Sequence, residues 1–547
     1  MLIFKDKVFK KPLKILQAFN ETELYEAFEE IEALKSRYYL AGYIRYEAKE
    51  IFLGNEFNSE FPLLYFEVFD SFEEFKPDMP DYININAFPS ISFEEYSNAI
   101  TKIKSEIACG NTYEVNYTYD WIAESPEDEF ELYKFLLLNQ KTPYNAFIKN
   151  KYETILSFSP ELFFEIEDRH IITKPMKGTI RRGENDIQDK QNIEFLKNDI
   201  KNRAENVMIV DLLRNDLGRI AKTGSVKVTK LFEIETHKTL HQMTSSIEAD
   251  LAENIKIVDI FKAIFPCGSI TGAPKISTMK IIDEVEKGSR DIYCGAIGLI
   301  TPQKPIFSVP IRILQKKFNE KHYRYRVGGA VVWDSDTQDE WDESFTKAGI
   351  LNNGLKLIET IKVQNKALFL GKEHLQRMKK SAEVLGFKFN DELFKLKPEK
   401  DGMLRIILSK EGSYELEYKN LERTPVYNVK FSDVTLNSNN KMLQHKTTFR
   451  PWYEQSAQKI RNGEIYDEIF FNEKGELTEG SRTNILLEID GKFYTPPLSC
   501  GLLNGILRQN LIDCGVCSEK VLYKEDVLKA ENIYCINSVR GIKRVYL

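Results

Sequence analysis

Three glutamates are spaced as a divalent-cation site would need them. Glu340 and Glu343 lie three residues apart in a helical pattern, so their carboxylates share one face of that helix. Glu205 lies in a second helical pattern. Carboxylates from separate elements suit Mg²⁺, which takes few protein oxygens and fills its shell with ligand and water. The alternative is that these are ordinary solvated helix glutamates.

The sequence also offers groups that could hold a carboxylate-bearing ligand. Arg312 stands in a strand-like V-P-I-R-I-L, and its guanidinium can grip a carboxylate through a fork of donors. The run Gly328-Gly329-Ala330 would present backbone N–H groups as a simple anion nest. These groups therefore predict a site for a small acid.

Helices and strands must position these residues, and they are interspersed without strict β-α alternation, which favours the α+β class. Ser92 is the expected cap of the second helix, which ends near Gly110. Helical patterns before residue 348 are Glu21–Lys35, Ile91–Cys109, Glu129–Asn139, Asn192–Asp211, Ile257–Phe265 and Ala273–Glu286. Strand-like runs are Tyr38–Arg45, Pro62–Phe69, Tyr144–Ile148, Thr154–Ser157, Leu162–Ile166, Ile292–Ile300 and Tyr323–Trp333.

The pattern changes after Ala348, so we expect two domains, 1–348 and 349–547, with 1–90 as the N-terminal part of the first. Asn352-Asn353-Gly354 is the turn signal between them. Expected elements of the second half are a helix over Lys372–Leu385 and strands over Leu355–Gln364, Met403–Leu408, Val426–Asp433, Asp467–Phe471 and Thr483–Glu488.

Composition limits the class of protein. The chain has 547 residues, 42% hydrophobic and 29% charged, which predicts a globular protein with two or more large cores. A net charge of −7 argues against nucleic-acid binding. The sequence contains no run of 18 apolar residues and no signal-peptide core, so we expect a cytoplasmic protein without a membrane span. The C-x-x-C of Cys514 and Cys517 has no second pair, so its thiols are expected to be structural or incidental.

Eight segments of the first half together resemble the chorismate-utilising enzymes, the family of anthranilate synthase and aminodeoxychorismate synthase large subunits. One such motif is weak, but eight in order over about residues 90–348 are specific. The resemblance implies a β-sandwich core flanked by helices, as in anthranilate synthase. The segments are G-N-T-Y-E-V-N-Y-T (110–118), S-P-E-L-F (159–163), P-M-K-G-T-I-R-R-G (175–183), A-E-N-V-M-I-V-D-L-L-R-N-D-L-G-R (204–219), H-Q-M-T-S (241–245), F-P-C-G-S-I-T-G-A-P-K (265–275), Y-C-G-A-I-G (293–298) and 328–347.

The resemblance also implies roles for single residues. Glu205 and Glu343 match Mg²⁺ ligands, with Glu340 nearby, and His241 resembles the histidine near the departing hydroxyl of chorismate. The family usually has glycine at Ala330, whose methyl group would narrow the approach of substrate. Residues implied in substrate binding are Thr271, Tyr293, Arg312, Gly328, Gly329, Ala330 and Lys347.

Lys177 distinguishes between members of this family. Anthranilate synthase-like sequences have no lysine in the P-x-x-G-T motif, whereas aminodeoxychorismate synthases have P-I-K-G-T and this chain has P-M-K-G-T. A lysine amine in a closed site can lose its proton and act as a nucleophile. By resemblance, Lys177 attacks ring C2 while the C4 hydroxyl leaves, with Glu161 as the acid/base partner. The alternative is a lysine that only binds a carboxylate.

Ammonia for such an amination must be supplied. The sequence shows no glutaminase signature, such as a G-x-C-x-G nucleophile turn with a downstream histidine. The family normally takes ammonia from a separate glutamine amidotransferase subunit, so the resemblance implies such a partner.

The second half resembles the fold type IV pyridoxal-phosphate enzymes, the family of branched-chain aminotransferase, D-amino-acid aminotransferase and aminodeoxychorismate lyase. These enzymes usually dimerise, so the resemblance implies a homodimer through this half. The segments are L-I-E-T-I (357–361), H-L-Q-R-M-K-K-S-A (374–382), H-K-T-T-F-R (445–450), D-E-I-F-F (467–471), G-E-L-T-E-G-S-R-T-N-I (475–485), Y-T-P-P-L (494–498), L-L-N-G-I-L-R (502–508) and I-N-S-V-R-G-I (536–542).

Such a cofactor needs a lysine, an acid at the pyridine nitrogen and a phosphate cup. By resemblance, Lys446 is the lysine and Glu479 is the acid. Gly505 starts a helical pattern, so a phosphate would sit at a helix N-terminus. The family often has threonine at Leu507, where only the backbone donor is kept. The phosphate cup maps onto Arg377, Gly505, Ile506, Leu507 and Ser538.

The two resemblances together imply amination of chorismate to 4-amino-4-deoxychorismate and then elimination of pyruvate to give p-aminobenzoate. The compact second half favours a lyase. Three alternatives stay open. The second half could be a D-amino-acid or branched-chain aminotransferase. The first half could be of the anthranilate or isochorismate type, against which Lys177 argues. A non-enzymatic scaffold would lack catalytic residues, whereas both sets are intact.

Overall fold

The chain forms two compact units, Met1–Asn353 and Gly354–Leu547. The computed structural model describes residues 1–124, 126, 128–140, 142–183, 186–236, 240–351, 354–421 and 426–547. Asn352 and Asn353, where we expect the turn between the two halves, lie outside the described residues.

The first unit mixes helices and strands throughout. Helices α1 to α9 are Glu21–Leu34, Lys49–Phe52, Phe93–Ala108, Glu129–Asn139, Asp186–Asn198, Ile200–Gly218, Ile257–Ile264, Lys275–Val285 and Thr337–Ala348. Strands β1 to β20 are Leu2–Phe4, Lys7–Phe9, Lys14–Ala18, Tyr39–Ile44, Leu64–Phe69, Glu73–Glu74, Ala87–Pro89, Glu114–Glu124, Tyr144–Lys149, Glu153–Ser159, Leu162–Glu167, His170–Lys174, Met176–Arg181, Lys227–Thr236, Leu240–Asp250, Gly272–Ala273, Ala296–Ile300, Pro305–Ser308, Ile313–Lys317 and His322–Val331.

Two ten-stranded antiparallel sheets build the first unit. One has the order β16-β8-β20-β19-β10-β9-β1-β2-β6, with β7 beside β8. The other has the order β13-β15-β12-β11-β18-β17-β4-β5-β3, with β14 beside β15. Phe4 and Ile148 of the first sheet share one apolar core with Phe66 and Phe307 of the second. The 90 N-terminal residues contribute strands to both sheets, so they are part of this sandwich.

The second unit is smaller and has three sheets. Their strand orders are β22-β21-β23-β24, β25-β26-β27 and β30-β29-β28-β31-β32. Strands β21 to β32 are Leu357–Gln364, Ala367–Leu368, Gly402–Leu408, Tyr414–Lys419, Val429–Leu436, Asp467–Asn472, Leu477–Gly480, Asn484–Ile489, Lys492–Thr495, Ser518–Glu519, Asn532–Asn537 and Gly541–Val545. Helices α10 to α13 are Gly371–Leu385, Glu454–Arg461, Ile506–Asp513 and Lys524–Lys529.

Two expectations about these elements need correction. The helix expected over Asn192–Asp211 is two helices, because the Asp199 side chain accepts the Asn202 N–H at 2.8 Å and caps a new helix. The strand expected from Ile292 begins only at Ala296, after a turn in which Cys294 has a φ of 63°. Other helices and strands of the first half lie within a few residues of their expected positions, and the α+β class is confirmed.

Local signals that do not depend on tertiary contacts were reliable. Ser92 caps α3 in a capping box with Glu95, as its position before the helix predicts.

Cys514 is exposed, Cys517 is buried, and both are free thiols. In the described part of the chain, every helix is too short or too polar to cross a membrane.

Candidate active sites

Lys177 lies in β13, and acids surround its amine. Its Nζ is 2.7 Å from Glu114 Oε1 and 3.6 Å from Glu205 Oε2. Lys177 and Glu114 are both buried. Burial alone lowers the pKa of Lys177, but the charges of Glu114 and Glu205 outweigh it and hold the pKa above its ordinary value. The amine is therefore an ammonium here, and it needs a proton acceptor before it can attack.

Glu161 is a second buried carboxyl, between β10 and β11. The Ser269 hydroxyl donates to its Oε1 at 2.5 Å. Burial raises the pKa of Glu161 to about 7, although Ser269 and Lys177 act to lower it. A carboxyl that keeps its proton near neutral pH can donate it to a leaving oxygen.

Glu340 on α9 is buried, which excludes the ordinary solvated glutamate considered above. Its Oε1 accepts from the Ser335 hydroxyl at 2.8 Å and lies 3.5 Å from Lys201 Nζ. Burial lowers the pKa of Lys201, but Glu340, Glu205 and Glu343 raise it above the ordinary value. The three carboxylates therefore act on one positive charge.

These carboxylates do not converge as a preformed three-ligand cluster. In the described chain, no three His, Cys, Asp or Glu side chains come close enough together to hold a metal ion. Glu343 is half-exposed and pairs with Lys347 at 2.7 Å. Mg²⁺ needs only one or two protein carboxylates. The three carboxylates already stabilise one cation, the Lys201 ammonium, because all three raise its pKa. The donor set therefore fits Mg²⁺ chemically, with ligand and water supplying the other oxygens.

Arg312 has no Asp or Glu partner among the residues that the structure describes. Arg312 lies directly before β19, not in the strand that we expected, and its backbone has a φ of 56°. Burial lowers its pKa, and no carboxylate among the described residues acts to raise it. A desolvated guanidinium of this kind can bind a ligand carboxylate, because its donor fork is not occupied by a protein carboxylate.

The run from Gly328 to Ala330 is not the expected anion nest. It continues β20 and pairs antiparallel with Asn116–Thr118 of β8, so it is extended backbone. Lys347 Nζ donates to the Gly328 carbonyl at 2.8 Å. A Cβ at Gly329 would lie 3.1 Å from Glu340 Oε2. Glycine at this position therefore keeps the strand close to the carboxylates of α9.

His241 differs from the expectation that it faces a departing hydroxyl. Its Nδ1 is 2.9 Å from Thr236 Oγ1, and its Nε2 is 2.9 Å from an Asp189 oxygen. Because both ring nitrogens have protein partners, neither is open to a ligand in this arrangement. Thr271 and Tyr293 are also buried.

In the second unit, Lys446 makes no ion pair within the described chain. Burial and the charge of Arg377 lower the pKa of Lys446 to about 8. An amine of this kind can be neutral at a pH where ordinary lysines are charged. Tyr453 donates to Glu479 at 2.6 Å, and burial raises the pKa of Glu479 to about 7. A lysine that loses its proton and a nearby buried acid are the groups that a pyridoxal cofactor needs.

The expected phosphate cup has backbone and side-chain donors. Ile506 and Leu507 begin α12, so their N–H groups have no acceptor within the helix. A Cβ at Gly505 would lie 1.9 Å from Asn484 Oδ1, so a larger residue there would have to displace the Asn484 side chain. Arg377 donates to Glu359 through two nitrogens and to the Asn504 carbonyl. The residues therefore fit pyridoxal 5′-phosphate.

Sequence reasoning missed several functional neighbours. Glu114 stands inside the motif 110–118, but nothing in the sequence pairs it with Lys177. Glu359 lies inside the motif 357–361, where a carboxylate between apolar residues was the available signal, and His374 lies inside the motif 374–382.

Comparison with known proteins places both units. The chorismate binding enzyme family matches residues 76–353, and the amino-transferase class IV family matches 356–546. Aminodeoxychorismate synthase component 1 of Salmonella typhimurium is 39% identical over 254 residues, 46% of this chain and 56% of that protein. Anthranilate synthase component 1 of Aquifex aeolicus is 32% identical over 280 residues, 51% of this chain and 56% of that protein. The chain thus spans little more than half the length of these relatives.

A solved structure defines the class by fold. Anthranilate synthase component I of Streptococcus pneumoniae superposes with a TM-score of 0.55 at 22% identity, covering 64% of this chain and 92% of that chain. The sandwich is therefore an anthranilate synthase-like fold. The chain belongs to the chorismate binding enzyme family, and its second unit is an amino-transferase class IV domain.

Proposed function

We propose that this chain makes p-aminobenzoate in two steps. The first unit aminates chorismate with ammonia to 4-amino-4-deoxychorismate, and the second eliminates pyruvate from that product. The observation that carries the proposal is the environment of Lys177. Its amine is buried beside Glu114, and the charges of Glu114 and Glu161 act to raise its pKa. The similarity to aminodeoxychorismate synthase component 1 supports the first step.

In the first step, Lys177 is the nucleophile. Its ammonium gives a proton to Glu114, 2.7 Å away. The free amine attacks ring C2 of chorismate while the C4 hydroxyl leaves as water, taking the proton of Glu161. Ammonia then bonds to C4 and expels the lysine amine from C2. A Lys177→Ala protein that aminated chorismate at the parent rate would refute this role.

Carboxylates of the substrate and of the protein are balanced by cations. Glu205, Glu340 and Glu343 would hold Mg²⁺, which would neutralise one substrate carboxylate. Arg312 would bind the other carboxylate through its donor fork. Thr271, Tyr293, Lys347 and the edge of β20 at Gly328–Ala330 would line the same space, and His241 would need to exchange its Asp189 contact to reach the C4 oxygen.

In the second step, Lys446 would bind the cofactor and, once its amine is free, would move the C4 proton. Pyridoxal 5′-phosphate supplies an electron sink when bound. Lys446, with its pKa of about 8, would take the proton from C4 of 4-amino-4-deoxychorismate. Glu479 would hold a proton at the pyridine nitrogen. The C3–O bond would break as the ring becomes aromatic, and the enolpyruvate released would take up a proton to become pyruvate. Arg377, Ser538 and the start of α12 would hold the phosphate.

A separate glutamine amidotransferase would deliver ammonia, and the enzyme would work in the cytoplasm as a homodimer through its second unit. If the purified chain used glutamine as well as it used ammonium salts, the amidotransferase would be unnecessary. Sedimentation of the purified chain tests the dimer: a mass near twice that of the chain is expected, and a monomer would contradict it.

One assay tests the whole proposal. The purified chain is mixed with chorismate, ammonium, Mg²⁺ and pyridoxal 5′-phosphate, and p-aminobenzoate and pyruvate are measured. Equal release of both products is expected. Anthranilate as product would assign the first unit to the other branch of its family. Accumulation of 4-amino-4-deoxychorismate without pyruvate, while the protein transaminates amino acids, would make the second unit an aminotransferase.

A further inference from the structure

A chain of hydrogen bonds links Arg377 and Ser538, the two residues whose side chains belong to the expected phosphate cup of the second unit. His374 Nδ1 lies 2.7 Å from Glu359 Oε2, and His374 Nε2 lies 2.8 Å from Ser538 Oγ. The same Glu359 carboxylate binds Arg377 through two nitrogens at 2.8 Å. All of Glu359, His374 and Ser538 are buried. Glu359 thus touches Arg377 directly and Ser538 through His374.

The direction of these hydrogen bonds follows from the charges. Although burial raises the pKa of Glu359, Arg377 and His374 outweigh it and hold that pKa far below its ordinary value, so Glu359 only accepts. His374 Nδ1 must therefore carry a hydrogen. Burial, Arg377 and Lys446 lower the pKa of His374, and Glu359 opposes them. The imidazole is thus neutral, and its Nε2 accepts the hydrogen of Ser538.

In this arrangement Ser538 cannot donate a hydrogen bond to an incoming phosphate. A serine hydroxyl has a single hydrogen, and that hydrogen points to His374. Ser538 would then meet phosphate oxygens with lone pairs only. If His374 gained a proton on Nε2, it would donate to Ser538 Oγ and free the serine hydrogen for the phosphate. The added charge would be held between Glu359 and the phosphate dianion, both of which favour it.

We propose that Glu359, His374 and Ser538 form a relay that takes up one proton when a phosphate group enters the cup. His374 and Glu359 are positioning residues, because they act on the phosphate through Ser538 and Arg377. The inference rests on the proposed function only in that the ligand is pyridoxal 5′-phosphate. The groups that act on His374 are Glu359 on β21, Arg377 on its own helix, Lys446, and Ser538 after β31.

The relay predicts the pH dependence of binding. Between the pKa of His374 in the empty cup and its higher pKa in the filled cup, affinity falls as pH rises, by up to about tenfold per pH unit. Below that window His374 is charged in both states, and above it neutral in both, so no proton is taken up.

Calorimetry of the full chain tests this directly. Lys446→Ala protein is titrated with pyridoxal 5′-phosphate at pH 7.5 in two buffers of different ionisation enthalpy, which counts the protons exchanged without the contribution of the lysine. Net uptake is expected. Adding His374→Gln should lower this uptake by up to one proton while keeping binding, because a neutral amide can donate to Ser538 without titrating. Adding Ser538→Ala should lower the uptake in the same way and weaken binding. His322→Gln, an exposed histidine of the first unit, is the control that should change nothing.

The outcomes separate the two proposals. Pyridoxal, which lacks the phosphate, should show the same proton count with and without His374→Gln. Equal uptake of protons in the Lys446→Ala protein and in its His374→Gln derivative would overturn the relay and leave the cofactor assignment intact. No binding of pyridoxal 5′-phosphate to the parent chain would overturn both.

Discussion

Glu114 Oε1 lies 2.7 Å from Lys177 Nζ, and the two residues come from different sheets of the sandwich. The ion pair keeps the lysine protonated at rest and places the nearest proton acceptor beside it. Glu114 Oε2 has no hydrogen-bond partner among the described residues, so the carboxylate can accept a proton without losing another bond. The carboxylate that holds the ammonium is thus also the group that can release its amine.

Glu114→Gln should lower kcat for chorismate amination by about 100-fold or more, the usual size of a general-base contribution. The amide cannot take the proton of Lys177. Because Glu114 raises the pKa of Lys177, its loss should also lower that pKa. The pH at which the residual rate rises should therefore move down. Steady-state rates with ammonium, measured against pH, test both effects.

The matched control is Glu124→Gln, an exposed glutamate at the end of the same strand. It should leave kcat and the pH profile unchanged. An unaltered pH profile in Glu114→Gln, together with a parent-like kcat, would show that another group deprotonates Lys177.

Glu161 should give the amination rate a basic limb. Its pKa of about 7 means that the acid form, which protonates the leaving hydroxyl, is lost as pH rises past that value. Glu161→Gln should remove most of the activity with chorismate, since an amide cannot supply the proton. Exposed Glu167→Gln on β11 is the control. A parent-like rate in Glu161→Gln would exclude this acid.

The free energy of unfolding should also depend on the ionisation of Glu161 and should fall as pH rises. Burial raises the pKa of Glu161 above its ordinary value of 4.5, so the ionised form is penalised in the folded chain. The parent should lose stability as pH rises from about 4.5 to about 7, by at most about 3 kcal/mol from this residue. Glu161→Gln should lose less over that interval, as measured by denaturant unfolding.

The sequence allowed some of these features to be predicted and concealed others for physical reasons. Lys177 and Lys446 stand in short motifs, so the neighbouring residues in the sequence are enough to identify them. The contact between Glu114 and Lys177 depends on how two sheets pack, and no local pattern records it. Hydrophobic periodicity runs through Asp199, yet its side chain ends one helix and caps the next. Branched neighbours predict a strand at Arg312, but its backbone is left-handed.

Lys446→Ala should separate the two reactions. Without this amine the second unit can neither bind pyridoxal 5′-phosphate covalently nor take the C4 proton, so pyruvate release should stop. The first unit should still consume chorismate, and 4-amino-4-deoxychorismate should accumulate. Absorbance of the bound cofactor and product chromatography measure this. Lys441→Ala, exposed and five positions earlier, is the control. Continued pyruvate release in Lys446→Ala would remove the lysine from the reaction.

Arg312→Met should weaken chorismate binding more than turnover. A charge-assisted hydrogen bond to a carboxylate contributes about 1.5–3 kcal/mol, so KM should rise about 10- to 100-fold while kcat changes less. The same change should not destabilise the fold, because burial penalises a guanidinium that has no acid partner among the described residues. The control is Arg169→Met, since Arg169 also has a positive φ, 65°, but is exposed. It matches the backbone strain of the substitution and lies outside the site, so a rise in KM confined to Arg312→Met would assign the effect to the guanidinium. A lower kcat at constant KM would instead place Arg312 at the transition state, and a lower Tm would show that it has a structural role.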